Sequence, residues 1–228
     1  MKVRLLTSLL ALVLLPTLQA STELETVLRN MDQAADRFST LEAQVRWVKY
    51  SALVEDESAE EGVIVVRRNN DKTVDMLLEF QQPYSYFLSV QGTKVEIYRP
   101  RIAQVEEYDL SRSRETLEQA LLLGFGTAGR FLRENYHVQM RGEETAAGQP
   151  TIKLELIPKS DDLLRKIPRL EMWISKTEWQ PVQQKLYEIN PGDYRLYTYT
   201  KIALNPALKD SAFKLKIPKN TRRVFPQR

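Results

Sequence analysis

The stretch LLLGFGTAGRFL, residues 121–132, carries Gly124, Gly126 and Gly129 at the spacing G-x-G-x-x-G. In dinucleotide-binding α/β folds this pattern follows a buried strand and opens a helix. Here the preceding residues, SRSRETLEQALLL, have the apolar spacing of a helix, and only RFLREN separates Gly129 from the next predicted strand. Six residues are too few for a crossover helix between parallel strands. The context therefore excludes the dinucleotide fingerprint and with it the doubly wound fold.

On both sides of this stretch the apolar residues recur with a period of two, which is typical of half-buried strands. Short connections and the lack of helices between successive strands favour an antiparallel meander, curved or closed into a barrel. The sequence predicts an N-terminal helix at 22–38 and a helical insertion at about 113–132. The predicted strands, eleven in number, are 41–54, 61–68, 72–80, 84–91, 94–99, 102–109, 135–141, 150–157, 168–175, 181–189 and 193–204.

Nearly every predicted strand has one apolar side, so we expect the sheet to curl around an apolar interior. In TIKLELIP, for example, Ile152, Leu154 and Leu156 share one face opposite Lys153 and Glu155. The residues expected to line the interior are Trp47, Met76, Leu78, Leu88, Val90, Ile152, Leu154, Leu156, Met172, Ile174 and Leu186.

The insertion itself reads as an apolar flap. Gly124 fits a helix C-cap, and Gly126 and Gly129 would give backbone freedom beside it. If the interior is a cavity, the flap is a lid; the alternative is a helix that plugs the sheet permanently. The residues expected on its apolar side are Leu117, Leu121, Leu122 and Phe125.

The N-terminus indicates export. Residues 1–20 have a basic start, an apolar run too short to span a bilayer and a small residue, Ala20, at the expected cleavage point. We therefore expect a signal peptide at 1–20 and one domain at 21–228, located in the periplasm. The chain has no cysteine, which excludes disulfides, thiolate chemistry and a lipid-anchored N-terminal cysteine. Without the leader the charge is close to neutral, so nothing predicts nucleic-acid binding.

No enzymatic motif accompanies the only histidine, His137, and we expect neither catalysis nor a metal or other cofactor. The acidic run EDESAEE, residues 55–61, is interpreted as a solvated hairpin loop. The basic C-terminal tail from Lys214 onward is either a solvated end or an electrostatic contact for anionic lipid or an acidic partner.

Three stretches resemble the outer-membrane lipoprotein carrier proteins, the LolA-like family. They are EEGVIVVRRNNDKTVDMLLEFQQP (60–83), YFLSVQGTKVEIYRPRIAQVEEYDL (86–110) and LKDSAFKLKIPKNTRRV (208–224). The match covers most of the chain after the leader. The residues that fit the family pattern are Gly62, Arg67, Arg68, Gly92, Tyr98 and Pro100.

The resemblance implies an open, half-closed antiparallel β-barrel of about eleven strands, with an N-terminal helix and a helical lid. It implies a monomeric carrier that takes lipoprotein acyl chains from an inner-membrane transporter to an outer-membrane acceptor. It also implies that a strand arginine holds the lid closed, and either Arg68 or Arg67 fits, because a one-residue change of register reverses the face. Another lipid cargo, or a lipid-sensing regulatory module of the same fold, is the alternative.

Overall fold

The computed structural model describes residues 16–70, 73–109, 111 and 125–226. Helix α1 spans Pro16–Arg37, α2 spans Gly129–Asn135 and α3 spans Asp161–Leu164. Two short 3-10 turns occupy Pro100–Ile102 and Asp210–Phe213. The strands are β1 Thr40–Ser51, β2 Asp56–Arg68, β3 Val74–Gln82, β4 Tyr86–Gln91, β5 Lys94–Arg99, β6 Gln104–Asp109, β7 Tyr136–Ala146, β8 Gln149–Pro158, β9 Arg169–Ser175, β10 Pro181–Tyr187, β11 Tyr194–Leu204 and β12 Arg222–Val224.

The strands form one sheet in the order β12-β6-β5-β4-β3-β2-β1-β11-β10-β9-β8-β7. Every neighbouring pair is antiparallel except β12 with β6. β1 joins the N-terminal strands to the C-terminal strands, because it pairs with β2 on one side and with β11 on the other. Within the described residues the two edge strands, β12 and β7, do not pair with each other, so the sheet stays open. The open antiparallel architecture expected from the sequence is confirmed.

The strand count is twelve instead of eleven, because the predicted basic tail contributes β12. Arg222 donates to Gln104, and Arg223 forms ion pairs with Glu96 and Glu107 on the neighbouring strands. Both arginines remain exposed, but these internal bonds hold the tail at a fixed place on the sheet. The acidic run is also different from the expectation, since β2 begins at Asp56 and includes most of it.

The sheet has two distinct ends. We call one of them the hairpin end. It carries the longer β8–β9 connection and four hairpin turns, which are β1–β2, β3–β4, β5–β6 and β10–β11. At the opposite end, which we call the helix end, α1 leads into β1, and β2 turns into β3. The face of the sheet on which α1 and α2 lie is the inner face.

Helices α1 and α2 cover the inner face of β7 to β9. Leu28 and Met31 of α1 and Leu132 of α2 pack with the strand residues in one core cluster. The helices approach closely at Gly129, where an added Cβ would lie 2.0 Å from the Leu28 carbonyl oxygen. Ion pairs from Arg130 and Arg133 to acidic residues of α1, among them Asp32, fasten the two helices further. None of the helices in the described ranges is long and apolar enough to cross a membrane.

Candidate functional site

The predicted interior residues divide into two groups that have different surroundings. Five of them, on β8 and β9, are no more than 5% exposed and lie under α1 and α2. They belong to a packed core instead of an open cavity wall, because two helices fill the space above them. We call this region the helix-covered half of the inner face. Its members are Ile152, Leu154, Leu156, Met172 and Ile174, with Leu186 half-buried at its margin.

The other group lies on β1, β3 and β4, in a second core cluster. Met76 and Val90 are buried there, whereas Trp47, Leu78 and Leu88 are only half-buried. Neither α1 nor α2 packs across these strands. We call this region, the inner face of β1 to β5 and β11, the β1–β5 half. It is the part of the inner face where apolar side chains keep accessible surface.

The predicted lid residues Leu117, Leu121 and Leu122 lie outside the described residues. Phe125, the first described residue after them, is buried and meets Tyr199 edge-on, with 4.8 Å between ring centroids. Together with Phe38 it closes the β1–β5 half at the helix end.

The backbone after Phe125 is held by two side chains from distant strands. The Gly126 amide donates to Gln180 Oε1 at 2.7 Å, and the Gly126 carbonyl accepts from Arg68 Nη2 at 2.6 Å. The other Arg68 nitrogen, Nη1, donates to the Ala35 carbonyl of α1 at 2.8 Å. Burial lowers the pKa of the Arg68 guanidinium from its usual value. One arginine therefore links β2, α1 and the segment that follows the predicted lid.

Arg67 faces the other way. It pairs with Asp75 and Asp210, and its guanidinium lies 4.5 Å from the centre of the Phe213 ring on the outer face. The register of β2 thus places Arg68, and not Arg67, against the Gly126 carbonyl. Of the two arginines that the resemblance offers as the lid latch, Arg68 is the one that bonds the backbone at Gly126.

The two described glycines of the quoted stretch serve close packing. Gly126 has φ of 78°, and an added Cβ would lie 2.6 Å from Phe38 and 2.7 Å from Arg68 Nη2. Gly129 is the contact point of α1 and α2. Neither residue is a free joint in this structure, so the sequence interpretation of both as hinges does not fit their surroundings.

A polar group interrupts the apolar β1–β5 half near the hairpin end. The Tyr86 hydroxyl donates to Glu60 Oε2 at 2.7 Å, and burial, followed by this hydrogen bond, raises the pKa of Tyr86 well above its usual range. The indole nitrogen of Trp47 is buried and has no hydrogen-bond partner in the described part of the chain. Sequence analysis missed Glu60, because the acidic run around it favours a solvated loop. The signal available was position, since Glu60 lies two residues before the apolar alternation of Gly62, Ile64 and Val66.

The hairpin end also carries most of the exposed apolar surface. Of the seven large hydrophobic residues that are exposed in the described chain, six lie in connections at this end. A pocket of about 470 Å³, lined in part by Ile167, Leu186 and Ile189, opens there. We call the six residues the apolar rim: Leu53, Val54, Tyr84, Ile102, Leu164 and Ile189.

We predict different results for removing the two neighbouring arginines. Arg68→Leu leaves the Gly126 and Ala35 carbonyls without a charged donor, a loss of about 1.5–3 kcal/mol for such hydrogen bonds. Amide exchange at Phe125 and Gly126 should therefore accelerate about tenfold or more, as measured by hydrogen–deuterium exchange. Arg67→Leu, the matched control, should leave these two amides unchanged. Equal exchange at Gly126 in both variants would contradict the role assigned to Arg68.

No family model and no curated protein matches the sequence. Among solved structures, MucB is similar, with a TM-score of 0.52, 15% identity, and coverage of 88% of this chain and 64% of that chain. MucB in the Pseudomonas aeruginosa MucA/MucB complex gives a TM-score of 0.51 and 12% identity, with 85% and 61% covered. The chain thus spans less than two thirds of the MucB chains that it matches.

An uncharacterized conserved protein from Thermus thermophilus has a TM-score of 0.55 and 13% identity, with 89% of this chain and 99% of that chain covered. A LolA superfamily protein from Nitrosomonas europaea is also matched, at a TM-score of 0.41 and 13% identity, over 84% and 97% of the two chains. Identities this low relate folds alone. The open antiparallel sheet with its N-terminal helix is thus a fold that the chain shares with MucB and with the Thermus thermophilus protein.

Proposed function

We propose that this protein is an exported lipid-binding carrier that holds acyl chains against the β1–β5 half of its inner face. The observation that carries the proposal is the contrast between the two halves. In the helix-covered half the apolar side chains of β8 and β9 are buried under the helices. On the same concave side, Trp47, Leu78 and Leu88 keep accessible apolar surface. Apolar surface on a concave face is the usual form of a small-molecule site.

The energetics fit an acyl ligand. Each CH₂ group that leaves water contributes about 0.8 kcal/mol, so even a partly buried chain is bound firmly. A carrier that binds this way must release its cargo by exposing it. The link from Arg68 to Gly126, next to Phe125, lies where the β1–β5 half is closed at the helix end. We propose that it regulates access, which makes Arg68 the latch and the segment before Phe125 the lid.

The apolar rim supports a carrier function, because a carrier must reach lipid at a membrane. Isolated exposed apolar residues are ordinary, but six of seven at one end of a sheet are not. The Arg101 guanidinium lies over the Tyr84 ring, 5.1 Å from the centre of that ring. Such a pair suits a membrane interface, where tyrosine is enriched. We propose that the rim touches the bilayer during loading and release, with no chemistry performed. We further propose that the carrier acts in the periplasm and takes its cargo from an inner-membrane transporter to an outer-membrane acceptor.

A regulatory lipid-binding module is the second candidate. The observation that favours it is the fold shared with MucB, which has been solved in a complex with MucA. This chain covers only 61% of that MucB chain, so the partner-binding parts of the relative need not be present here. The two candidates differ in whether lipid moves between membranes, which the second experiment below measures.

The first prediction tests binding. Leu88→Glu places a charge on the β1–β5 half, where burying it is costly. The affinity for an apolar fluorescent dye, and its displacement by palmitoyl lipids, should fall at least tenfold. The control is Gln44→Glu, which adds the same charge at an exposed outer position of β1. Thermal unfolding of each variant identifies misfolding, and Leu88→Gln replaces the glutamate if it unfolds the protein. Wild-type dye affinity in a folded Leu88→Glu variant would refute a ligand site on this half.

The second prediction tests the carrier. Leu53→Asp combined with Val54→Asp removes the two most prominent rim side chains, which are 91% and 67% exposed. Transfer of a fluorescent lipid between phosphatidylcholine vesicles should slow about tenfold, while binding of the soluble dye stays unchanged. The control carries two aspartates at exposed outer-strand positions, Gln44 and Ala203. Efficient dye binding without any vesicle-to-vesicle transfer by the wild type would favour the regulatory module.

A further inference from the structure

Four aromatic side chains and one carboxylate form a group on the β1–β5 half that an acyl-chain site does not require. Trp47 stacks on Tyr197 with 5.8 Å between ring centroids, and its ring lies 5.9 Å from that of Phe80. Phe80 in turn lies 4.8 Å from Tyr86, which bonds Glu60. Across the strands Trp47 is the register partner of both Glu60 and Tyr197, and Phe80 is that of Tyr86, so the group spans five neighbouring strands: β4, β3, β2, β1 and β11.

The group contains a buried donor that has no partner among the described residues. The Trp47 indole N–H can only donate, and a buried donor without an acceptor is costly and therefore uncommon in a native protein. No acceptor is present for it in the described ranges. A ligand carbonyl placed in line with the Trp47 Nε1–H bond would supply the missing acceptor.

The group also contains a carboxylate, that of Glu60, which can accept more hydrogen bonds than it receives from Tyr86. Tyr86 occupies one oxygen of Glu60, and a carboxylate can accept further hydrogen bonds. Two cations that act on these tyrosines, Arg99 and Arg195, form ion pairs with other acids, Glu106 and Glu188. Within the described residues no lysine or arginine forms an ion pair with Glu60. The carboxylate would therefore repel an anionic headgroup and accept from a hydroxyl.

The position of the group suits the head of an amphiphile. The group lies toward the hairpin end of the sheet. Its carboxylate, Glu60, is on β2, and Arg68 lies at the helix end of that strand. Glu60 and Arg68 are eight residue steps apart along β2, which is about 26 Å at the usual rise. One acyl chain spans about 15 Å, half of the ~30 Å core of a bilayer. The inner-facing side chains between the two polar ends are those of Ile64 and Val66 beside Gly62.

We propose that this group is the headgroup site of the carrier and that it selects uncharged acyl esters that carry a hydroxyl, of the acylglycerol type, over anionic lipids. The ester carbonyl accepts from Trp47 Nε1, a glycerol hydroxyl donates to Glu60, and the chain lies along β2 toward Arg68. The inference rests on the proposed acyl-chain function and adds the class of head that the site accepts.

The test compares monopalmitoylglycerol with palmitate, which have equal chains and different heads, below their critical micelle concentrations at pH 8. Displacement of a bound apolar dye gives both affinities. The wild type should bind monopalmitoylglycerol at least tenfold more tightly than palmitate. Glu60→Gln keeps the acceptor for Tyr86 and removes the charge, so the preference should shrink to less than threefold, mainly through tighter palmitate binding.

A second variant tests the donor. Trp47→Phe keeps an aromatic ring and removes the N–H, so monopalmitoylglycerol should bind several-fold more weakly, while palmitate binding changes little. Equal affinity of the wild type for both lipids would overturn the headgroup site and leave the carrier proposal intact. Displacement by neither lipid would instead overturn the acyl-chain function. Wild-type ester affinity in Trp47→Phe would exclude a role for the indole donor.

Discussion

The constraint on which the rest of this structure depends is the area of the concave face. A single curved sheet of twelve strands presents more apolar surface than two helices can cover. Helices α1 and α2 cover β7 to β9, where the side chains pack into a closed core. The remaining strands carry the same alternation of apolar residues but no helix of the described chain lies across them. We propose that an apolar ligand occupies this uncovered area.

The two halves are not independent, because one side chain joins them. Arg68 extends from β2, on the side of the proposed ligand, to the Ala35 carbonyl at the end of α1 and to Gly126. Gln180, in the β9–β10 connection, holds the amide of the same glycine. These hydrogen bonds connect the backbone at Gly126 with strand β2, helix α1 and the β9–β10 connection.

The sequence predicted which face of each strand is apolar, because a period of two is a local property. It could not predict what covers that face. Ile152 and Leu88 have the same pattern in sequence, yet one lies under two helices and the other is half-buried. The alternatives Arg67 and Arg68 also stayed open for a local reason, since a shift of one residue reverses the side of the sheet. Only the pairing of β2 with its neighbours determines which of them faces inward.

Glu60, which sequence analysis missed, is a second residue whose surroundings a local pattern could not predict. Glu60 belongs to a run of acidic residues whose composition favours solvent, and its environment comes from Trp47, Tyr86 and Tyr197 on three other strands. Composition is a statistical signal, whereas this contact arises from long-range pairing. β12 is a comparable case, because three residues of a basic tail become a strand only when β6 offers an edge.

The central claim is that an acyl chain lies on the β1–β5 half and not within the helix-covered half. Nuclear Overhauser effects between the chain of bound monopalmitoylglycerol and isotope-labelled leucine and valine methyl groups measure this directly. The account predicts contacts to the methyl groups of Val66, Leu78 and Leu88. Contacts confined to Leu154 and Leu156 beneath α1 and α2, with none to Leu78 or Leu88, would contradict it.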